Sequence, residues 1–369
     1  SDLSDIESVV SVLKSDFLTQ GPVVPKFENL LCEYTHAKYS VLVNSATSAL
    51  HIACLALELS DGDILWTSPI TFVASVNCAL YCGASVDFVD IDSNTGLMSV
   101  EKLKDKLECA YRDGKLPKIV IPVHLAGQSC DMQSIYKLSK EYGFSIIEDA
   151  AHAVGAKYKE SPIGNCCYSD ITIFSFHPVK IITTGEGGVA LTNNAELAYT
   201  MGLLRSHGIT REKSRMKACI DSPWYYEQVC LGYNYRMTDI QAALGISQLT
   251  RLDSYIEKRT NAAQYYTKKL DLEKVTPLEQ KNNTKSSWHL YIIQVTDKDK
   301  RDGIVRTLNA RGVGVNLHYI PVYRHPYMQY KYSLPGAESY YNRSFTVPLF
   351  PNLSHNKIDY ICNIINSSF

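Results

Sequence analysis

The chain has 369 residues, 45% of them hydrophobic, and a formal net charge of −1 with no basic or acidic block. That is enough for one large unit and a smaller one, and the balanced charge gives no footing for nucleic acid or an anionic membrane surface as the main partner. No apolar run approaches the length of a bilayer span, no charged leader with an apolar segment opens the chain, and eleven scattered cysteines suit reduced thiols in a cytoplasm rather than a disulfide framework.

The first residue is Ser1 rather than Met, so the loss of a short native beginning is expected, and a helix-like pattern follows almost at once. Tyr39-Ser-Val-Leu-Val43 predicts a strand, followed by a helix from about Thr47 to Leu59. Asp63–Thr67 predicts a second strand, with a helix through Val73 to Tyr81, and Ser85–Val89 a third. Lys118–Ile121 and Phe144–Ile147 predict two more, with a helix over Met132 to Tyr142 between them. Asp170–Phe174 and Gly188–Thr192 follow closely. Strands alternating with helices predict an α/β fold with a mainly parallel sheet covered on both faces. Ligands of such sheets sit beyond the carboxyl ends of the strands.

The pattern changes after Asn234. A single long helix is predicted from Thr238, its N-cap, to about Leu270. A lysine- and asparagine-rich stretch runs from Glu279 to Ser287. Then come a strand at His289–Val295, a helix at Arg301–Ala310, a short strand at Gly314–Leu317, a tyrosine- and proline-rich segment, and a closing helix at His355–Asn366. This predicts a large unit over residues 1–245 and a small α+β domain over 246–369. Cys78 and Cys82 share a helix face, but no second Cys or His pair completes a zinc set, so packed thiols are expected there and at Cys166 and Cys167.

Several stretches carry chemistry. Asn44-Ser-Ala-Thr-Ser-Ala49 lies between a strand and a helix. Small residues there let a ligand approach the backbone, and free amides at the helix start attract an anion. Ser45 and Thr47 add hydroxyls, although an ordinary N-cap uses the same residues. Glu148-Asp-Ala-Ala-His152 follows an apolar strand. Asp149 can hold a protonated pyridine nitrogen there, or cap a helix beside a packed His152.

Lys180 stands in Ser175-Phe-His-Pro-Val-Lys180-Ile-Ile-Thr-Thr-Gly-Glu-Gly-Gly188. Burial would strip solvation from its ammonium, lower its pKa and make the amine a nucleophile toward carbonyls. A surface lysine is the ordinary alternative. If the segment curls, Ser175 can donate to a phosphate while Lys180 reaches an aldehyde. Gly185, Gly187 and Gly188 permit a tight turn, or merely bound the next strand. Phe72 can stack on a ligand ring or fill core. In Gly232-Tyr-Asn-Tyr-Arg-Met-Thr-Asp239, Asn234 and Arg236 can bind phosphate, or the loop can simply cap the next helix. His318-Tyr-Ile-Pro-Val-Tyr323 can line a sugar or uracil pocket, or belong to the small domain's core.

Taken in order, Leu18-Thr-Gln-Gly21, Asn44-Ser-Ala-Thr47, Glu148-Asp-Ala-Ala-His152, Ser175-Phe-His-Pro-Val-Lys180, Arg205-Ser-His-Gly208, Gly232-Tyr-Asn-Tyr-Arg236 and His318-Tyr-Ile-Pro321 resemble the sugar-nucleotide aminotransferases of the DegT/DnrJ/EryC1/StrS family, from about Asp16 to the C-terminus. The resemblance implies a three-layer fold-type I transferase with a smaller α+β C-terminal domain. The first 25 or so residues would form an arm near the active site. It also implies pyridoxal 5′-phosphate as cofactor. Lys180 would bond the cofactor's aldehyde and shuttle a proton, Asp149 would pair with the pyridinium nitrogen, and His152 would lie near the phenolic oxygen. Phe72 matches the position that stacks on the ring. Ala46, Thr47 and Ser175 match the phosphate cradle, and Asn234 matches a phosphate ligand from the partner subunit, which implies a homodimer with shared sites. Thr19, Arg236, His318 and Tyr319 are the expected substrate-binding residues.

The forms Thr19-Gln-Gly-Pro22, Ser175–Gly188 and His318–Tyr323 are similar to the branch of the family serving pseudaminic acid biosynthesis. That implies a cytoplasmic transaminase moving the amino group of L-glutamate, with release of 2-oxoglutarate, to C4 of UDP-2-acetamido-2,6-dideoxy-β-L-arabino-hex-4-ulose. Relatives acting on other nucleotide 4-keto-6-deoxy sugars, of the bacillosamine or perosamine type, keep a second substrate open. A pyridoxamine-dependent dehydration and a non-catalytic regulator are further classes. Family dehydratases carry His at the position of Lys180, and the complete Asp149, Ser175 and Lys180 set counts against a silent protein.

Overall fold

The computed structural model describes residues 2–218, 220, 222–329 and 333–369. In chain order its principal elements are α1 (Leu3–Leu13), α2 (Val23–Thr35), β1 (Tyr39–Val43), α3 (Ala46–Ala56), β2 (Ile64–Thr67), α4 (Ala74–Tyr81), β3 (Ser85–Phe88), α5 (Val100–Asp113), β4 (Ile119–Ile121), α6 (Met132–Tyr142), β5 (Ser145–Asp149), β6 (Ile171–Ser175), β7 (Gly188–Thr192), α7 (Ala195–Arg205), α8 (Asp239–Leu249), α9 (Leu252–Lys269), β8 (Val275–Pro277), β9 (Tyr291–Val295), α10 (Arg301–Ala310), α11 (Pro335–Arg343), β10 (Ser344–Val347) and α12 (His355–Asn366).

Seven strands form the main sheet in the order β1-β7-β6-β5-β4-β2-β3. The five from β6 to β3 are parallel. β7 runs against both of its neighbours, so β1 points the same way as the parallel set. Every residue of β4, β6 and β7 is buried. Strands covered on both faces need continuous apolar runs rather than alternation, and Ile119-Val-Ile121, Ile171-Thr-Ile-Phe-Ser175 and Gly188-Val-Ala-Leu-Thr192 are such runs. The pairings Val43 with Gly188, Ser175 with Gly188, and Asp149 with Ile173 gather the ends of β1, β5 and β6 on one edge. That edge carries the stretches singled out above.

A second, antiparallel sheet, β8-β9-β10, packs with α9, α10 and α12 around a separate core in which Tyr266, Tyr291, Phe345, Ile358 and Ile365 are buried. Ten cysteines are free thiols. The eleventh, Cys219, lies outside the described residues. No helix among the described residues is long and apolar enough to cross a membrane.

Two expected elements differ. The long helix predicted from Thr238 to Leu270 is two helices. Thr238 does cap the first, in a reciprocal box with Gln241. The chain then breaks at Thr250 and Arg251. Arg251 there turns its guanidinium to the buried Asp5 carboxylate of α1 and to Asp2. The interaction joins residues nearly 250 positions apart and leaves the apolar period untouched. Gly314–Leu317 is not a strand: only Asn316 bridges, exchanging backbone bonds with Thr346, and its own Oδ1 then accepts from Leu317 N at 2.8 Å.

The N-terminal helices hold the sheet's active edge in place. Phe27 of α2 is fully buried and its ring lies 5.5 Å from that of Phe176. A Cβ on Gly245 of α8 would stand 2.4 Å from the Phe27 ring, so only glycine lets α8 pass. Phe27→Ala should therefore cost about 3–5 kcal/mol in urea unfolding of the cofactor-free protein. A loss of about 0.5 kcal/mol or less, the range of ordinary surface changes, would show that Phe27 does not anchor this layer.

Candidate active site

The loop from Ser175 to Gly187 is closed by the backbone of Phe176. Its N–H donates to Gly187 O at 2.9 Å, and its carbonyl accepts from Thr184 N at 3.0 Å and Thr183 Oγ1 at 2.9 Å. Gly185 takes a φ of +81°, which a side chain would strain. Inside this loop Lys180 N donates to His177 O at 2.9 Å. The curl brings Ser175 and Lys180 to one cavity of about 290 Å³, together with Ala46, Thr47, Phe72, Asp149, His152 and Tyr319. Eight of the twelve expected site residues thus line one space.

They arrive on several elements. Ser45 is the N-cap of α3, its hydroxyl accepting from Ser48 N at 3.1 Å, so the first amides of α3, at Ala46 and Thr47, face the cavity without a helical partner. Gly188 opens β7 hard against this terminus: a Cβ there would lie 2.5 Å from Ala46 N. Asp149 ends β5. Its carboxylate accepts from Ser75 Oγ at 2.5 Å and Ala151 N at 3.1 Å, and Ser75 meets Thr71 at 2.7 Å. Desolvation pushes the Lys180 amine down to about 8, with the Asp149 charge opposing that shift. A buried amine near neutral pH is both nucleophile and base.

His152 is buried and bonded to Tyr319 Oη at 3.1 Å. Burial, then the charge of Lys180, hold its pKa well below the ordinary histidine value. Burial and the Asp149 charge raise the Tyr319 phenol. Phe72 is 58% exposed, an open aromatic face at the mouth with its ring centroid 6.2 Å from that of Tyr319. A large apolar ring left uncovered at a cavity suits a ligand face.

Four expected residues do not line this cavity. Thr19 is exposed and bridges Thr238. Arg236 donates to Ser206 Oγ at 3.1 Å. The His318 ring bonds Thr346 Oγ1 at 2.8 Å, and burial followed by Lys180 pushes its pKa down to about 4. Asn234 is exposed between Tyr233 and Tyr235, whose rings stack at 4.9 Å. Conversely, Thr71, His177 and Glu186 line the cavity without having been expected there. His177 and Glu186 were visible in the lysine motif. Ser75 and Thr71 had no signal beyond two hydroxyls four residues apart.

Comparison with known proteins fits this geometry. The model of the DegT/DnrJ/EryC1/StrS aminotransferase family matches residues 2–366. The chain is 38% identical over 353 residues to the UDP-4-amino-4,6-dideoxy-N-acetyl-beta-L-altrosamine transaminase of Campylobacter jejuni, covering 94% of this chain and 90% of the relative. It is 37% identical over 366 residues to the spore coat polysaccharide biosynthesis protein SpsC of Bacillus subtilis, covering 96% and 92%. Among solved structures, Helicobacter pylori PseC, an aminotransferase of pseudaminic acid biosynthesis, superposes with a TM-score of 0.91 at 32% identity, covering 100% of this chain and 97% of that one. The pyridoxal-phosphate form of the sugar aminotransferase Spr1654 from Streptococcus pneumoniae gives 0.88 at 30%, covering 100% and 96%.

The depressed pKa of Lys180 is directly measurable. In ligand-free protein, labelling of Lys180 by trinitrobenzenesulfonate, followed by mass spectrometry, should rise with pH around a midpoint near 8. Asp149→Asn should move that midpoint lower, because the carboxylate favours the ammonium. A midpoint at the ordinary lysine value would contradict a desolvated amine.

Proposed function

On the premise that the chain belongs to the DegT/DnrJ/EryC1/StrS aminotransferase family and is a pyridoxal-phosphate enzyme acting on sugars, we propose that it transfers the amino group of L-glutamate to C4 of a UDP-linked 4-keto-6-deoxy-N-acetylhexosamine. The sugar we favour is UDP-2-acetamido-2,6-dideoxy-β-L-arabino-hex-4-ulose, the substrate of pseudaminic acid biosynthesis. The observation that carries the chemistry is one cavity holding a desolvated lysine amine beside a hydrogen-bonded aspartate. The likeness to the Campylobacter and Helicobacter proteins supports the sugar.

The cavity's donor set fits the cofactor. The first amides of α3, at Ala46 and Thr47, with the hydroxyls of Thr47 and Ser175, suit a phosphate. The Asp149 carboxylate, fixed by Ser75 and Ala151, suits a ring N–H, and the exposed Phe72 face suits the ring. Bound pyridoxal phosphate supplies an electron sink through which an amino group passes between carbons.

The chain's own residues supply the rest. Lys180 Nζ, poised near neutrality, takes and returns the proton at the reacting carbon, a contribution of about 10²–10⁴-fold for a positioned acid–base. Asp149 keeps positive charge on the ring nitrogen. Arg236, Thr19, His318 and Tyr319 are assigned to the sugar nucleotide. Asn234 is assigned to the phosphate of a partner's site, in a homodimer. Its exposure outside its own chain's cavity supports that reading. The separate core built from residues beyond Ala262 supports division into a large unit, 1–245, and a small one, 246–369. The first 25 or so residues form an arm, of which Leu18 and Thr19 meet Asp239 and Thr238. The free thiols support a cytoplasmic setting.

Lys180→Ala should abolish turnover while circular dichroism and thermal unfolding stay close to wild type. Near wild-type transamination by that variant would remove Lys180 from its role. For the substrate, incubation with pyridoxal phosphate, glutamate and each C5 epimer of the UDP-4-keto sugar, read by mass spectrometry and NMR, should yield a C4 amine from the L-arabino epimer. Amination of the D-xylo epimer alone would move the enzyme to a bacillosamine-type reaction.

A further inference from the structure

His152 has two ring nitrogens, and the protein occupies both. Ala126 N lies 3.3 Å from Nδ1, and Tyr319 Oη lies 3.1 Å from Nε2. A backbone amide can only donate, so Nδ1 is the acceptor. The contact is built in. Ala126 takes a φ of +60° and Gly127 one of +101°, left-handed conformations that turn this loop under the ring. A Cβ at Gly127 would stand 2.6 Å from Ser287 Oγ, and that hydroxyl donates to the His152 carbonyl at 3.0 Å.

Burial and the neighbouring Lys180, His289 and His318 keep the imidazole neutral. A neutral ring that accepts at Nδ1 carries its proton on Nε2. Nε2–H therefore donates to Tyr319 Oη, and the phenolic hydrogen must point elsewhere. Among the described residues Tyr319 Oη has no second hydrogen-bond partner, and Tyr319 lines the cavity.

We infer that the Tyr319 hydroxyl, and not the His152 imidazole, is the hydrogen-bond donor that meets an acceptor oxygen of the bound reactants. His152 is a positioning residue: it turns the phenol so that its O–H faces the cavity. The acceptor chemistry is a phenolate or carbonyl oxygen, available from the cofactor ring or from the keto sugar. In this respect the inference deepens the function proposed above and rests on it. Its tautomer claim stands apart.

The test has a matching pair of arms. In cofactor-free protein labelled with ¹⁵N-histidine, long-range ¹H–¹⁵N spectra at neutral pH should show His152, assigned by its loss in His152→Asn, with an unprotonated Nδ1 and a protonated Nε2. A protonated Nδ1 would overturn the inference whatever the substrate proves to be. In the holoenzyme, Tyr319→Phe keeps the ring and removes the donor. An acceptor on the cofactor predicts a shift of about one unit in the pH midpoint of the visible band. An acceptor on the sugar predicts a rise of about ten-fold in KM for the keto sugar, the loss of about one hydrogen bond, with the KM for glutamate unchanged. Neither change, in a variant that folds and binds cofactor, would also overturn it. Should no keto sugar be turned over by the wild type, the function proposed above fails, while the spectra and the visible band still decide the tautomer and the donor.

Discussion

The site depends on a desolvated amine and a carboxylate held in one cavity. Desolvation alone would drive the Lys180 amine far toward neutrality, and the Asp149 charge alone would hold it as an ammonium. Their opposition leaves it near pH 8, where it can both attack a carbonyl and carry a proton. The carboxylate must be fixed for this to work, and Ser75 and Ala151 fix it. The main sheet and the helices packed on it deliver these groups to one place and hold them there.

The sheet does the delivery. Parallel strands end on a common edge, so Asp149, paired with Ile173, ends β5 two residues short of Ser175 at the end of β6. The reversal at β7 adds something a purely parallel sheet would lack: its first residue, Gly188, lies beside both Ser175 and Val43 and against the start of α3. The loop between β6 and β7 is thereby tied at both ends to the sheet. Its middle, with Lys180, is fixed by the Phe176 backbone and by Phe176 packing on Phe27. A short segment is made rigid by the core beneath it, as a positioned acid–base requires.

Much of this was legible in the residues. The seven main strands lie within a residue or two of their expected places, because each is a run of apolar residues bounded by polar or turn residues. α6, β7, α10 and α12 have their expected ends. Absent from the expected elements are α2, α5, α7, α11, β8 and β10. In α5 only Leu103, Leu107 and Ala110 are buried, a thin stripe in a charged helix, although its Ser99 cap and left-handed Gly114 end were readable signals. The break before α9 and the Ser75–Asp149 bond were not readable, since each depends on a contact between residues far apart in the chain. The same holds for the site: motifs placed eight residues at the cavity, but only folding brings Tyr319 to His152 and leaves Asn234 exposed outside the cavity lining.

The most direct test of this account is reduction with borohydride in the presence of pyridoxal phosphate, followed by peptide mapping. The account predicts one phosphopyridoxyl group per chain, on the peptide carrying Lys180, and its absence from Lys180→Ala. A modification on another lysine, or none at saturating cofactor, would contradict the claim that the β6–β7 loop and the end of β5 together form the cofactor site.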